Sequence, residues 1–92
     1  MDLEWNEDKR NWTLETRGLD FADVEFFEFD TADTVADNRE DYGEVRQVST
    51  GYLHGRLCVL CWTKRHPNIV RVISLRKAND REQKKYAEAT GN

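Results

Sequence analysis

The stretch from Ile69 to Tyr86 constrains this chain more than any other, because it joins an apolar strand directly to a capped basic helix. Ile69-Val70-Arg71-Val72-Ile73-Ser74-Leu75 is dense in β-branched residues and reads as a strand buried over most of both faces. Asn79 is placed to cap the helix that follows, and Glu82, three residues on, to close a capping box. On that helix Glu82 and Tyr86 lie four apart and share a face, while Arg81 and Lys85 share the neighbouring one. Such a module fixes guanidinium groups at the end of a rigid strand with a helix beside them. Anionic ligands suit it, phosphates above all, because a guanidinium fork meets two oxygens with parallel hydrogen bonds.

The rest of the chain supplies a frame for that module. Leu3 to Trp5 is a short strand candidate, after which Asn6 caps a helix with Glu7 and Asp8 at its positive end. Arg17 in the last turn and Gly18 beyond it make the stop. Trp12 and Leu14 are the only apolar residues inside this helix, so docking must stabilise it rather than a broad apolar stripe. Asp20 caps a second, short helix, whose Phe21, Val24 and Phe27 recur at helical spacing and read as core rather than as a ligand box. Thr34-Val35-Ala36 is a brief strand candidate in an acidic stretch, and Asn38 to Gly43 reads as a polar loop.

Three strands follow, at about 44–51, 56–64 and 69–76, separated by tight loops at Tyr52-Leu53-His54-Gly55 and Arg65-His66-Pro67-Asn68. A last helix spans about 80–89, and Gly91-Asn92 is left as a free end. The expected architecture is one α+β domain over residues 1–92. In it an antiparallel β-meander of three to four strands packs with two N-terminal helices and one C-terminal helix.

Charge is divided unevenly along the chain. Residues 1–44 carry 15 acidic and 4 basic side chains, whereas residues 45–92 carry 10 basic and 3 acidic, for a net −4. Either these are solvated faces that attract each other in the fold, or a basic surface for an anionic partner adjoins an acidic one. A chain that is acidic overall is a poor generic binder of nucleic acid, so only a local basic patch would support that activity. No apolar run approaches the roughly 20 residues of a membrane span. The start, Met1-Asp2-Leu3-Glu4, lacks the basic region of a signal peptide, and the cytoplasm is the expected location.

Cys58 and Cys61 have the spacing of a redox or zinc motif but fall within an apolar strand. Strand residues three apart face opposite ways with Cα atoms roughly 10 Å apart, beyond the ~7 Å a disulfide tolerates. The same objection meets a zinc site built from His54, Cys58, Cys61 and His66, and two packed, reduced thiols are expected.

Three segments, taken in order, resemble the BrnT family, the toxin half of a bacterial type II toxin–antitoxin pair. That family's strand reads Arg-x-Ile-Ser-x-Arg, then Ala, then a helix with Glu-x-x-x-Tyr; here these are Arg71, Ile73, Ser74, Arg76, Ala78, Glu82 and Tyr86. Its opening Glu-Trp-Asp, a Lys four residues after the Trp, then His-Gly and Phe, correspond to Glu4, Trp5, Asn6, Lys9, Arg17, Gly18 and Phe21. Gly55-Arg56-Leu57 before an apolar strand also fits. The resemblance implies a RelE-like ribonuclease fold and an endoribonuclease that stops translation by cutting RNA. Because the sequence shows no metal-ligand cluster, cleavage without a metal or other cofactor is expected. The resemblance also implies neutralisation by a BrnA-type antitoxin, whose ribbon-helix-helix domain binds operator DNA, so that the toxin meets DNA only through that partner.

RNA cleavage without a metal needs a group to take the 2′-hydroxyl proton, cations to hold the phosphate and a donor for the leaving 5′-oxygen. Both histidines lie in loops and read as turn residues. The family His is Arg17 here, and an arginine stays protonated, so it can clamp a phosphate but not shuttle a proton. The catalytic candidates are therefore Arg76, Arg71, Lys9, Arg46 and Tyr86, although a helix tyrosine closing the edge of the core is the plainer reading of the last. Candidate RNA contacts are Arg17, Lys64, Arg65, Lys77 and Arg81, which otherwise serve as a solvated basic surface. Strand alternation places Ser74 and Arg76 on one face and Arg71 on the other. The departures at Asn6, Thr13 (where the family has Asn) and Arg17, with the net acidic charge, would suit a second reading. That reading is a catalytically inactive binding module of the same fold, acting through its acidic N-terminal half.

Overall fold

A computed structural model describes residues 1–91; Asn92, read from the sequence as a free end, lies outside the described residues. The elements in order are strand β1 (Asp2–Trp5), helix α1 (Glu7–Arg17), two 3-10 turns (Phe21–Phe26 and Phe29–Thr31) and strand β2 (Asp33–Ala36). Strands β3 (Arg46–Leu53), β4 (Arg56–His66) and β5 (Ile69–Lys77) and helix α2 (Asp80–Ala89) complete the chain. The strands form one five-stranded sheet in the order β1-β5-β4-β3-β2. The β3-β4-β5 meander is antiparallel as expected, and β2 joins it antiparallel. β1, however, adds to β5 in parallel, Asp2 opposite Ile69 and Trp5 opposite Val72, so the sheet is mixed.

Local chemistry sets most of these boundaries. The Asn6 side chain accepts the Lys9 backbone N–H, and Gly18 at φ 70° closes α1 with its N–H on the Leu14 carbonyl. His54 (φ 51°) and Gly55 (φ 77°) turn the β3-β4 hairpin, both in the left-handed region that a two-residue type I′ turn demands. The capping box of α2 is fully formed, with the Asn79 side chain on the Glu82 N–H and the Glu82 carboxylate on the Asn79 N–H.

The second N-terminal helix is a 3-10 turn instead of an α-helix, capped by Asp20 on the Ala22 N–H. At three residues per turn, Phe21, Val24 and Phe27 fall in one line, and all three are buried. They press on Leu53, Cys58, Leu60, Val72 and Leu75 from one face of the sheet, and each fully buried side chain of this kind contributes about 1.5–3 kcal/mol. Gly51 permits this close packing: a Cβ there would stand 2.9 Å from both Ala32 Cβ and Phe27 Cζ.

Helix α1 is held by docking and not by an apolar stripe, as its few apolar residues require. Trp12 and Leu14 are both exposed, and the buried residue of the helix is Thr13. Arg10 ties the helix down by donating to both Asp20 oxygens, at 2.8 and 3.1 Å. Arg17 Nη1 donates to the Leu75 carbonyl of β5 at 3.0 Å. No helix among the described residues is long and apolar enough to cross a membrane.

Candidate functional site

One irregularity in β5 decides which side chains meet. Ser74 lies opposite Cys61 but Val72 lies opposite the next residue, Trp62, so Ile73 is an extra residue in β5. Alternation therefore slips by one, and burial follows it: Val70, Val72 and Leu75 turn to the core. Arg71, Ser74 and Arg76 share the other face, opposite Thr63, Cys61 and Val59. This overturns the expectation that Arg71 points away from Arg76. On the far side of β4, Arg46 pairs with Thr63 and so belongs to the same face.

A network of ion pairs orders these cations. Glu4 Oε1 accepts from Arg71 Nη1 at 3.3 Å and lies 3.3 Å from Arg65 Nε. Arg65 Nη2 reaches to 3.9 Å of Glu44, whose other oxygen accepts Arg46 Nε at 3.0 Å. The Arg46 guanidinium lies over the Tyr42 ring, 3.9 Å from its centroid. Tyr42 in turn donates its hydroxyl to Asp37 Oδ2 at 3.2 Å, and Arg39 donates Nε and Nη2 to the same carboxylate at 2.9 and 2.8 Å. Arg76 meets Glu82 fork to fork, with two hydrogen bonds of 2.7 Å. Exposed pairs of this kind add little stability, but they hold each guanidinium in one orientation.

The cross-links join the acidic and basic halves, since Glu4 and Glu44 belong to the first and Arg46, Arg65 and Arg71 to the second. Hydrogen bonds from Arg39 hold the Asp37 carboxyl down to about 2, and those from Arg76 do the same for Glu82. Cys61 lies in the middle of the face. Burial raises its thiol pKa first and Asp37 adds to this, whereas Arg46, Arg39 and Lys9 oppose it. The charges of all these side chains thus reach one point on the sheet.

The other sequence candidates are placed unevenly. Lys9, in the first turn of α1, borders with Ser74 a groove also lined by Trp12 and Ile73, and has no ion-pair partner among the described residues. Arg17 lines the same groove and covers the Trp12 ring at 4.9 Å. Arg65 is part of the network described above. Lys64 lies instead beside Trp62 and Val70, on the core side of the sheet. Lys77, at the end of β5, borders a cleft with Arg56 and Gln83, and Arg81 is exposed on the first turn of α2.

Tyr86 lines a pocket with Val59, which lies opposite Arg76, and with Glu82, which clasps that arginine. The Tyr86 ring is buried edge-on against Tyr52, and its hydroxyl donates to the Thr31 carbonyl at 2.8 Å. Asp37, Arg39 and Tyr42 escaped the sequence reading, since they fall in or beside what looks like a polar connection. The only available hint was the first and third residues of an Asp-x-Arg pair at the end of a strand candidate. Among the described residues no three His, Cys, Asp or Glu side chains gather closely enough to hold a metal ion.

Clasped arginines along one face of a mixed sheet have the chemistry to meet an anion with paired hydrogen bonds. The family model described as "Ribonuclease toxin, BrnT, of type II toxin-antitoxin system" matches residues 5–82. The fold is similar to the crystal structure of the Brucella abortus ribonuclease toxin BrnT, with a TM-score of 0.69 and 28% sequence identity over 87% of this chain and 99% of that one. No curated protein matches the chain in sequence. The chain belongs to the BrnT family, the ribonuclease toxins of type II toxin–antitoxin systems. An antitoxin is thereby its partner.

Proposed function

We propose that the arginine face is the site at which this toxin cuts RNA, by transphosphorylation without a metal ion. The carrying observation is that Arg46, Arg71 and Arg76, from two strands, are brought to one face by the extra residue at Ile73. In this reading the three guanidinium groups hold the scissile phosphate while the 2′-oxygen attacks it and gives its proton to solvent water. They also stabilise the charge that builds as the P–O5′ bond breaks to leave a 2′,3′-cyclic phosphate. Each is already aimed by a carboxylate or an aromatic ring, so little reorganisation is needed at the moment of reaction. Lys9, which borders a groove with Ser74 of this face and has no ion-pair partner among the described residues, would protonate the leaving 5′-oxygen. In this reading the part of Tyr86 is structural, supported by the donation of its hydroxyl to the Thr31 carbonyl.

Family membership favours this ribonuclease over a non-catalytic binding module. We read the whole chain as one RelE-like domain that acts in the cytoplasm and stops translation by cutting RNA. We read its partner as a BrnA-type antitoxin with a ribbon-helix-helix domain, through which alone the toxin reaches operator DNA. The direct test incubates RNA with purified protein in excess EDTA and, in parallel, follows growth on induction with and without the antitoxin. Cleavage that persists in EDTA, with arrest relieved by the antitoxin, is the expected result. Cleavage lost in EDTA and restored by a divalent ion would overturn the metal-free mechanism.

A further inference from the structure

The connection between β2 and β3 carries an arrangement that the catalytic reading leaves unused. Asp37, the first residue past β2, donates its backbone N–H to the Arg46 carbonyl at 2.8 Å, which pins it to the sheet. Its side chain is only 2% exposed, yet Arg39, which it holds, is 77% exposed. The buried carboxylate accepts four hydrogen bonds: the Arg39 backbone N–H at 3.2 Å, the two guanidinium bonds, and the Tyr42 hydroxyl. A loop that needed only to close would leave its polar side chains in water. Here one buried anion fixes an exposed cation at a set place, and through Tyr42 it also sets the ring beneath Arg46.

That place is beside the arginine face. Tyr42, whose ring lies 3.9 Å from the Arg46 guanidinium, donates its hydroxyl to the same Asp37 carboxylate that holds Arg39, so one ring and one anion join the two arginines. Holding like charges this close costs energy in the free protein and is relieved when a polyanion lies between them. We propose that Arg39 is a further contact for an RNA phosphate and that Asp37 is the residue that positions it. The inference rests on the reading that this face binds RNA. The fork geometry suits a phosphate of the strand flanking the cut, since Arg39 hangs from the loop and not from the strands that hold Arg71 and Arg76.

The test measures binding of a 2′-O-methyl RNA, which cannot be cut by 2′-hydroxyl attack, across a range of salt concentrations, with melting temperatures taken on the same preparations. Arg39→Ala should weaken binding about tenfold and reduce the salt slope by about 0.7, the value for one phosphate contact on a single strand. Its melting temperature should fall somewhat, because the buried Asp37 carboxylate loses two of its four donors, so affinities are taken per folded molecule. Arg39→Lys should recover the slope but only part of the affinity, since the charge remains and the fork is gone. Asp37→Asn, nearly isosteric, should reproduce the Arg39→Ala binding defect, and the double variant should bind no worse than Arg39→Ala alone.

Unchanged affinity and slope in Arg39→Ala, with the wild type binding RNA, would overturn the inference alone. So would a loss of melting temperature without a loss of binding, which would mark the pair as a loop tie. A wild-type protein that neither binds nor cuts RNA would overturn the functional reading and this inference with it.

Discussion

Arg76 and Glu82 clasp each other through two hydrogen bonds of 2.7 Å, and the glutamate oxygen facing Arg76 Nη1 also accepts the Asn79 backbone N–H at 2.9 Å. One carboxylate thus completes the cap of α2 and aims the arginine at the end of β5. The charge division along the chain points Arg76 toward a carboxylate of the acidic first half. The partner is instead the capping-box residue six positions on, because the strand runs into the helix with only Ala78 and Asn79 between them.

Glu82→Gln keeps the shape of this joint and removes its charge. Loss of about 1–3 kcal/mol is expected, from a weakened cap and a lost charge-assisted bond. The carboxyl of Glu82 is held at about 2, below its usual 4.5, so its contribution is complete above the usual value and is lost as pH falls toward 2. Thermal unfolding of both proteins between pH 6 and pH 2 should show a gap that narrows on acidification. A gap that is constant with pH would show that the charge has no part in it.

Tyr86→Phe separates a structural tyrosine from a catalytic one. Removing the hydroxyl leaves the Thr31 carbonyl without its donor, at a cost of about 1 kcal/mol. The midpoint of urea unfolding should fall accordingly, while RNA cleavage per folded molecule is unchanged. A large fall in cleavage at an unaltered midpoint would return Tyr86 to the active site.

Cys58 and Cys61 should titrate as two free thiols in denaturant without reductant, and react slowly in the native protein. Cys58 is packed among the core residues and Cys61 faces the arginines, so the sheet itself lies between them. Burial raises the pKa of both, which keeps them protonated and unreactive near neutral pH. A native mass lower by two hydrogens, with no thiol titrated, would contradict this placement.

What could be read from sequence was what a few neighbouring residues decide. The Asn6 and Asn79 caps and the Gly18 stop are each fixed by local hydrogen bonds or by φ and appear where their residues indicate, whereas the loop expected over Tyr52 to Gly55 is a tighter two-residue turn at His54-Gly55. The parallel seat of β1 on β5 was not legible, because it joins residues 67 positions apart that carry no pairing signal of their own. The extra residue at Ile73 was hidden for a related reason. A β-branched run looks the same with or without a bulge, and only register against β4 reveals it. That single slip moved Arg71 to the face of Arg76, so the site was richer than alternation allowed. Asp37 and Arg39 were missed because a buried carboxylate in a polar loop has no periodicity to announce it.

The most direct test of the account is single-turnover RNA cleavage by Arg76→Ala and Arg76→Lys, with the folded fraction of each preparation measured by thermal unfolding. Losing Arg76 also strands Glu82, so some stability will be lost whatever the chemistry, and rates must be taken per folded molecule. The account predicts that Arg76→Ala loses about 2 kcal/mol or more of transition-state stabilisation, roughly thirtyfold in rate, comparable with removing one oxyanion donor. Arg76→Lys should recover only part of it, because an ammonium cannot offer two parallel bonds to a phosphate. Full cleavage per folded molecule in Arg76→Ala, with only the melting temperature reduced, would contradict the claim that this face is the site of RNA cleavage.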